Sequence, residues 1–210
     1  QSLGLQVSRW IELAAFTLLP VGTLALYQYV KQLYLTYYSN VSKSIGTVFL
    51  TEVSAQENRH SREHMLSYML KVSFISVFSL ILCVSLGREF LQLVWASRDF
   101  GPEDLSLAYY LLILFFSTML MSMVENLYLR SNVARDDVAR QYLGSLVILT
   151  GTSILFLALS GYLGFAAVIV VGLLKCTAQL AYSAYLNYSR NPAHFVSFGW
   201  GHLLKAGLLV

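Results

Sequence analysis

Charge, proline and cysteine are all scarce in this chain, and each shortage excludes something. Charged residues fill 12% of 210 positions, where a soluble domain has about a quarter, so an ordinary water-facing surface cannot be built. Three prolines leave long stretches without a helix breaker. The two cysteines, Cys83 and Cys176, fall far apart within apolar runs, which excludes a disulfide framework or a thiolate metal site and leaves small hydrophobes packed among others. A glycine-rich phosphate loop, a nucleophile elbow and a carboxylate pair of catalytic spacing are also missing, so no enzyme chemistry and no organic cofactor are expected. The net charge of +3 sits mostly in connections between apolar runs, which membrane topology explains; no nucleic-acid partner is expected.

What the chain has is hydrophobic sequence, 57% of it. Apolar runs lie at about 3–19, 24–51, 65–87, 105–129, 142–160 and 163–187, with another beginning near Leu203 and reaching Val210. Each is about the length that crosses a hydrocarbon core. The pattern predicts an all-α fold: a polytopic transmembrane helical bundle of six spans (1–187), a cytoplasmic connection (188–202) and the start of a seventh span (203–210). The runs lack the alternation of a membrane β-barrel. Because the first and last residues both lie inside apolar patterns, the chain is expected to be a fragment of a longer protein; no signal peptide is recognisable.

Loop charge orients the bundle. Arg59 and Arg62 mark one connection, Arg130, Arg135 and Arg140 another, and Arg190 a third. The turns at 19–23 and 160–164 carry no Lys or Arg, and the loop with Arg88 and Arg98 also holds Glu89, Asp99, Glu103 and Asp104. The positive-inside rule places 56–64, 130–141 and 188–202 in the cytoplasm and the two short turns outside.

An ionisable side chain within a span is costly and usually faces a bundle interior or a water-filled cavity. The second run is the richest in such groups. Tyr27, Lys31, Tyr34 and Tyr38 form one stripe at helical spacing, and Gln28, Gln32, Ser39 and Lys43 run beside it. Lys31 and Lys43 are the expected anion contacts, followed by Arg9, with Gln28, Gln32 and Tyr27 as polar lining. The competing reading has Lys31 and Lys43 snorkelling to opposite interfaces. Arg9 and Glu12, one turn apart, are expected to pair with each other and Glu125 to meet Arg130 at a helix end, while Lys175, which shares a face with Gln179, is a second-tier cavity residue. His60, Glu63 and His64 spell the inverted zinc-peptidase pattern, but in a short basic loop with the other histidines four spans away, so no metal is assigned. The sequons at Asn40 and Asn187 lie within or at the cytoplasmic end of spans and are discounted.

The order of segments resembles the MurJ/MviN lipid flippases. Leu19-Pro20-Val21-Gly22, continuing through Tyr27 to Leu33, and then Ile45-Gly46-Thr47-Val48 with Ser54, is similar to the turn and eighth helix of that family. Phe100-Gly101-Pro102-Glu103-Asp104 resembles the start of its tenth helix, Leu127-Tyr128-Leu129-Arg130 with Asp136 the cytoplasmic end of that helix, and Gly161-Tyr162-Leu163-Gly164 the turn before the twelfth. Lys31-Gln32 stands where the family has Asp-Arg, which moves the cation by one residue, and Asp137 and Val138 stand in place of Thr-Pro.

The resemblance implies one half of a two-bundle flippase that moves a polyprenyl-pyrophosphate-linked saccharide across the bacterial inner membrane by alternating access. Its partners would be that lipid-linked substrate, membrane lipids and the missing N-terminal bundle of the same protein. The alternatives are a cation-coupled multidrug exporter of the same superfamily and a scaffold that does not transport. The loop charges make a direct prediction, with Cys83 and Cys176 replaced. In intact cells, cysteines at Ser61 and Asp137 are shielded from a membrane-impermeant thiol reagent and one at Thr23 reacts; labelling of the first two would invert the topology.

Overall fold

The structure is a computed structural model that describes residues 2–55, 61–95, 101–133 and 138–190. Six α-helices account for nearly all of them: α1 (Ser2–Phe16), α2 (Thr23–Ala55), α3 (Ser61–Trp95), α4 (Pro102–Val133), α5 (Val138–Leu163) and α6 (Ala166–Arg190). The all-helical expectation holds. The loop cores at 56–60 and 134–137, His60, His194 and His202, and the seventh run at 203–210 lie outside the described residues.

Four helices contain stretches long and apolar enough to cross a membrane: Met65–Trp95, Pro102–Asn132, Val138–Leu163 and Ala166–Ser189. The other two described helices do not meet those criteria, for separate reasons. At 15 residues, α1 rises only about 22 Å, short of the roughly 30 Å core. α2 has ample length at 33 residues, but its amides, tyrosines and lysines make it too polar to face lipid on every side.

Local chemistry sets the helix ends. Gly22 takes φ +93° between α1 and α2, and Gly164 takes φ +54° between α5 and α6, left-handed conformations that favour glycine. The Gly164 amide donates back to the Ser160 carbonyl at 3.1 Å, capping α5. Pro102 opens α4, the Gly101 amide donates to Asp104 Oδ2 at 3.2 Å, and Glu103 and Asp104 offset the positive helix start. α3 runs two turns past its expected end at residue 87. Gly87, Arg88 and Glu89 resemble a stop signal, but Cys83, Gly87, Leu91 and Trp95 form a buried i, i+4 stripe, and packing keeps the segment helical.

Two apolar clusters lie at opposite ends of the bundle. At the end bearing the two glycine turns, Phe16, Leu26, Val30, Leu91, Leu111, Phe156 and Val168 pack together. At the basic end the cluster is built from Phe49, Tyr68, Met69, Met119, Met123 and Tyr128. The helices pack pairwise: α3, α2 and α6 against α4, α6 against α5, and α5 against α1. α1 and α2 are consecutive yet meet at few positions, so the bundle is open between them.

A buried amide network ties α4, α5 and α6 at the basic end. Asn132 Nδ2 donates to Gln141 Oε1 at 3.0 Å and to the Ser183 carbonyl at 3.1 Å. Gln141 Nε2 donates to Ser183 Oγ at 2.7 Å, and Asn187 Nδ2 to Ser131 Oγ at 3.0 Å. Beside it Tyr182 crosses Gly144, where a Cβ would collide with its ring, and donates to the Arg140 carbonyl at 2.8 Å. Such a network stabilises only while it is complete, because a missing member leaves buried groups unpaired.

Two outcomes are expected. Gln141→Leu should lower unfolding stability in detergent by about 1–2 kcal/mol, against little change for Tyr162→Leu on the exposed surface. The labelling reporter at the turn should be Val21, which is fully exposed, since Thr23 is 5% exposed; a Val21 cysteine should react at the rate of a solvent-exposed thiol.

Candidate functional site

The opening between α1 and α2 is a cleft of about 370 Å³. α1 contributes Ser8, Arg9, Glu12, Leu13 and Phe16; α2 contributes Gln28, Lys31, Gln32 and Leu35; α5 and α6 close the back with Leu149 and Lys175. Helical spacing explains the two walls: Ser8, Arg9, Glu12, Leu13 and Phe16 are one α1 face, and Gln28, Lys31, Gln32 and Leu35 one α2 face. Lys31 lies eight residues into α2 and Lys175 nine into α6, so both are about 12–14 Å below the glycine-turn end.

The charges are arranged unequally. Lys175 Nζ is 3.8 Å from Glu12 Oε1, with the two side chains 32% and 28% exposed. Lys31 Nζ sits 5.3 Å from the centroid of the Tyr27 ring, a cation–π contact. Tyr27 is itself clamped against Phe16 at 4.8 Å and Phe115 at 5.6 Å between ring centroids. Arg9 is exposed at the rim, and no ion pair involves it among the described residues. Ser8 Oγ and Thr150 Oγ1 are 3.2 Å apart and tie the α1 wall to α5.

Four of the six residues singled out from sequence, Arg9, Gln28, Lys31 and Gln32, meet in this cleft. Tyr27 lies behind it, lining a smaller void of about 60 Å³ that shares Glu12, Phe16 and Lys175 with the main one. Lys43 does not join them. It is exposed, twelve residues and about 18 Å further along α2, beyond the reach of one headgroup held at Lys31.

Two expected ion pairs are replaced. Glu12 meets Lys175 of α6 rather than Arg9, because α1 packs on α5 and turns the carboxylate toward the back of the cleft. Arg130 Nε donates to Asn126 Oδ1 at 2.7 Å rather than pairing with Glu125, and its guanidinium fills the space left by Gly46 of α2, where a Cβ would collide with it. Lys175 is the site residue that sequence undervalued. Its signal was its distance from either end of an apolar run, too far for easy snorkelling. Among the described residues no cluster of three or more metal-ligating side chains occurs.

Along the rest of α2 one exposed stripe is polar, with Thr36, Asn40, Ser44, Thr47 and Thr51 following Gln32, while Leu35, Tyr37 and Val48 are exposed beside it. Thr36, Ser44, Thr47 and Thr51 donate to the carbonyl one turn back, at 2.8–3.2 Å. Such bonding satisfies a hydroxyl within its own helix; amides and lysine have no equivalent, and their presence points this face to water or to protein.

Compared with known proteins, the chain has no match to a family model, a curated protein or a solved structure.

The cleft should be wet. With the native cysteines replaced, cysteines at Arg9 and Gln32 should react with a water-soluble methanethiosulfonate, whereas cysteines at Phe74 and Val77, exposed on the apolar α3 surface, should stay inert. Equal inertness of all four would mean a cleft closed to water.

Proposed function

We propose that this chain is half of a lipid flippase and that the cleft between α1 and α2 receives the anionic headgroup of a polyprenyl-pyrophosphate-linked saccharide in the bacterial inner membrane. The observation that carries the reading is the convergence of Arg9, Lys31 and Lys175, from three helices, on one cleft with two amides, in a bundle with four helices of membrane-crossing length and apolarity. Moving a diphosphate past hydrocarbon requires its hydration to be replaced by fixed charges and hydrogen-bond donors. Guanidinium and ammonium groups supply the charge, while Gln28 and Gln32 suit sugar hydroxyls. The opening between α1 and α2 would let the lipid tail remain outside while the headgroup enters. The polar face of α2 supports a second bundle opposite, completing the cavity, and alternating access would come from rocking one bundle against the other.

The resemblance to MurJ/MviN flippases in segment order points the same way. A cation-coupled exporter would need a cavity carboxylate free to take up its cation; of the two candidates, Glu12 is held by Lys175 and Glu125 does not line the cleft. A scaffold without transport gives no reason for three cations in one cleft.

The test separates the two lysines. In the full-length protein, Lys31→Ala should reduce transport of a pyrophosphate-linked lipid by about tenfold or more, as expected on losing a charge contact of at least 1.4 kcal/mol, with normal insertion. Lys43→Ala, outside the cleft, should retain most activity. Wild-type transport by Lys31→Ala at normal protein levels would remove the cleft from the pathway.

A further inference from the structure

We infer that Glu12 sets the charge the cleft will accept, acting as an internal counter-ion that tunes it to a headgroup carrying two negative charges. The inference rests on the cleft being an anion site. Its walls hold three cations, Arg9, Lys31 and Lys175, and one carboxylate, Glu12, leaving two positive charges. In a site of reduced dielectric an unmatched charge is costly in either direction. A pyrophosphate esterified at both ends, as in a lipid-linked sugar, carries two negative charges and matches. A phosphodiester carries one and leaves a cation unbalanced. A lipid diphosphate esterified only at its lipid end carries roughly three at neutral pH, its last proton leaving near pH 6, and overfills the site.

The geometry assigns this role to Glu12. Its carboxylate is 3.8 Å from Lys175 Nζ at the back of the cleft, whereas Arg9 stands exposed at the rim and Lys31 lies over Tyr27. A headgroup entering between α1 and α2 meets Arg9 and Lys31 without having to displace an ion pair. At the back it meets a lysine already neutralised. Glu12 therefore caps the usable charge while holding Lys175 at the back of the cleft. It contacts a cation rather than the substrate, which makes it a specificity-determining residue and not a binding one.

The experiment measures equilibrium binding to the purified full-length protein in nanodiscs of uncharged lipid. The four probes are farnesol, a farnesyl phosphate glucose diester, a farnesyl diphosphate glucose diester and farnesyl diphosphate. Wild type should favour the two-charge diester. Glu12→Gln, with three net charges, should shift preference toward farnesyl diphosphate by about fivefold, the size of removing one partly exposed charge partner. Lys175→Gln, with one net charge, should shift it toward the phosphodiester. The double variant Glu12→Gln with Lys175→Gln restores two net charges and should return the wild-type order, which a merely structural ion pair would not do. An unchanged order in all variants, with tight anion binding, would overturn the role of Glu12 and leave the anion site standing. Binding of every anion no tighter than farnesol would overturn both.

Discussion

The structure depends on how charge is kept inside an apolar bundle. Arg9, Glu12, Lys31 and Lys175 all lie within helices packed among hydrophobic neighbours, and each would be expensive there alone. One pairing crosses from α1 to α6, one cation rests on an aromatic face, and the remaining charge sits at an opening. That opening exists because α1 packs on α5 and α2 on α4. Two helices consecutive in sequence are thereby held apart, and the space between them takes its polarity from both.

Rigidity around the cleft comes from both ends. At the glycine-turn end, Phe16 links the site to the core, touching Tyr27 on one side and Phe156 on the other, with ring centroids at 4.8 and 5.2 Å. At the basic end the Asn132, Gln141, Ser183 and Asn187 network clamps α4, α5 and α6. The back wall is thus fixed through α5 and α6, while α1 and α2 are each anchored on one side only. In an alternating-access cycle the unanchored sides are where a partner bundle would bear.

The helices and their order were legible because apolar runs punctuated by glycine and charge follow directly from the length of a membrane-crossing helix. The end of α3 was not, since Gly87-Arg88-Glu89 has the composition of a loop while Leu91 and Trp95 are buried in the apolar cluster and keep the segment helical. Helical spacing put Gln28, Lys31 and Gln32 on neighbouring faces of one polar helix, and the fold brings them together with Arg9 of α1 in one cleft. Lys43 lies outside the cleft lining, and a continuous polar stripe does not reveal where along its length the bundle opens. The Glu12 partner was hidden for a related reason: local spacing favours Arg9, whereas the contact is made by α6, brought there by packing. Asn132 and Gln141 of the amide network fell in the stretch at 130–141 that read as a loop, so their burial had no local signal.

The central claim is that the cleft holds an anionic lipid headgroup. The most direct test is native mass spectrometry of the full-length protein released from its own membranes in mild detergent, compared with a variant in which Arg9, Lys31 and Lys175 are all glutamine. The wild type should retain a lipid whose fragments include a pyrophosphate, and the variant should lose it. Identical bulk phospholipid on both, with no pyrophosphate-bearing species on either, would contradict the account.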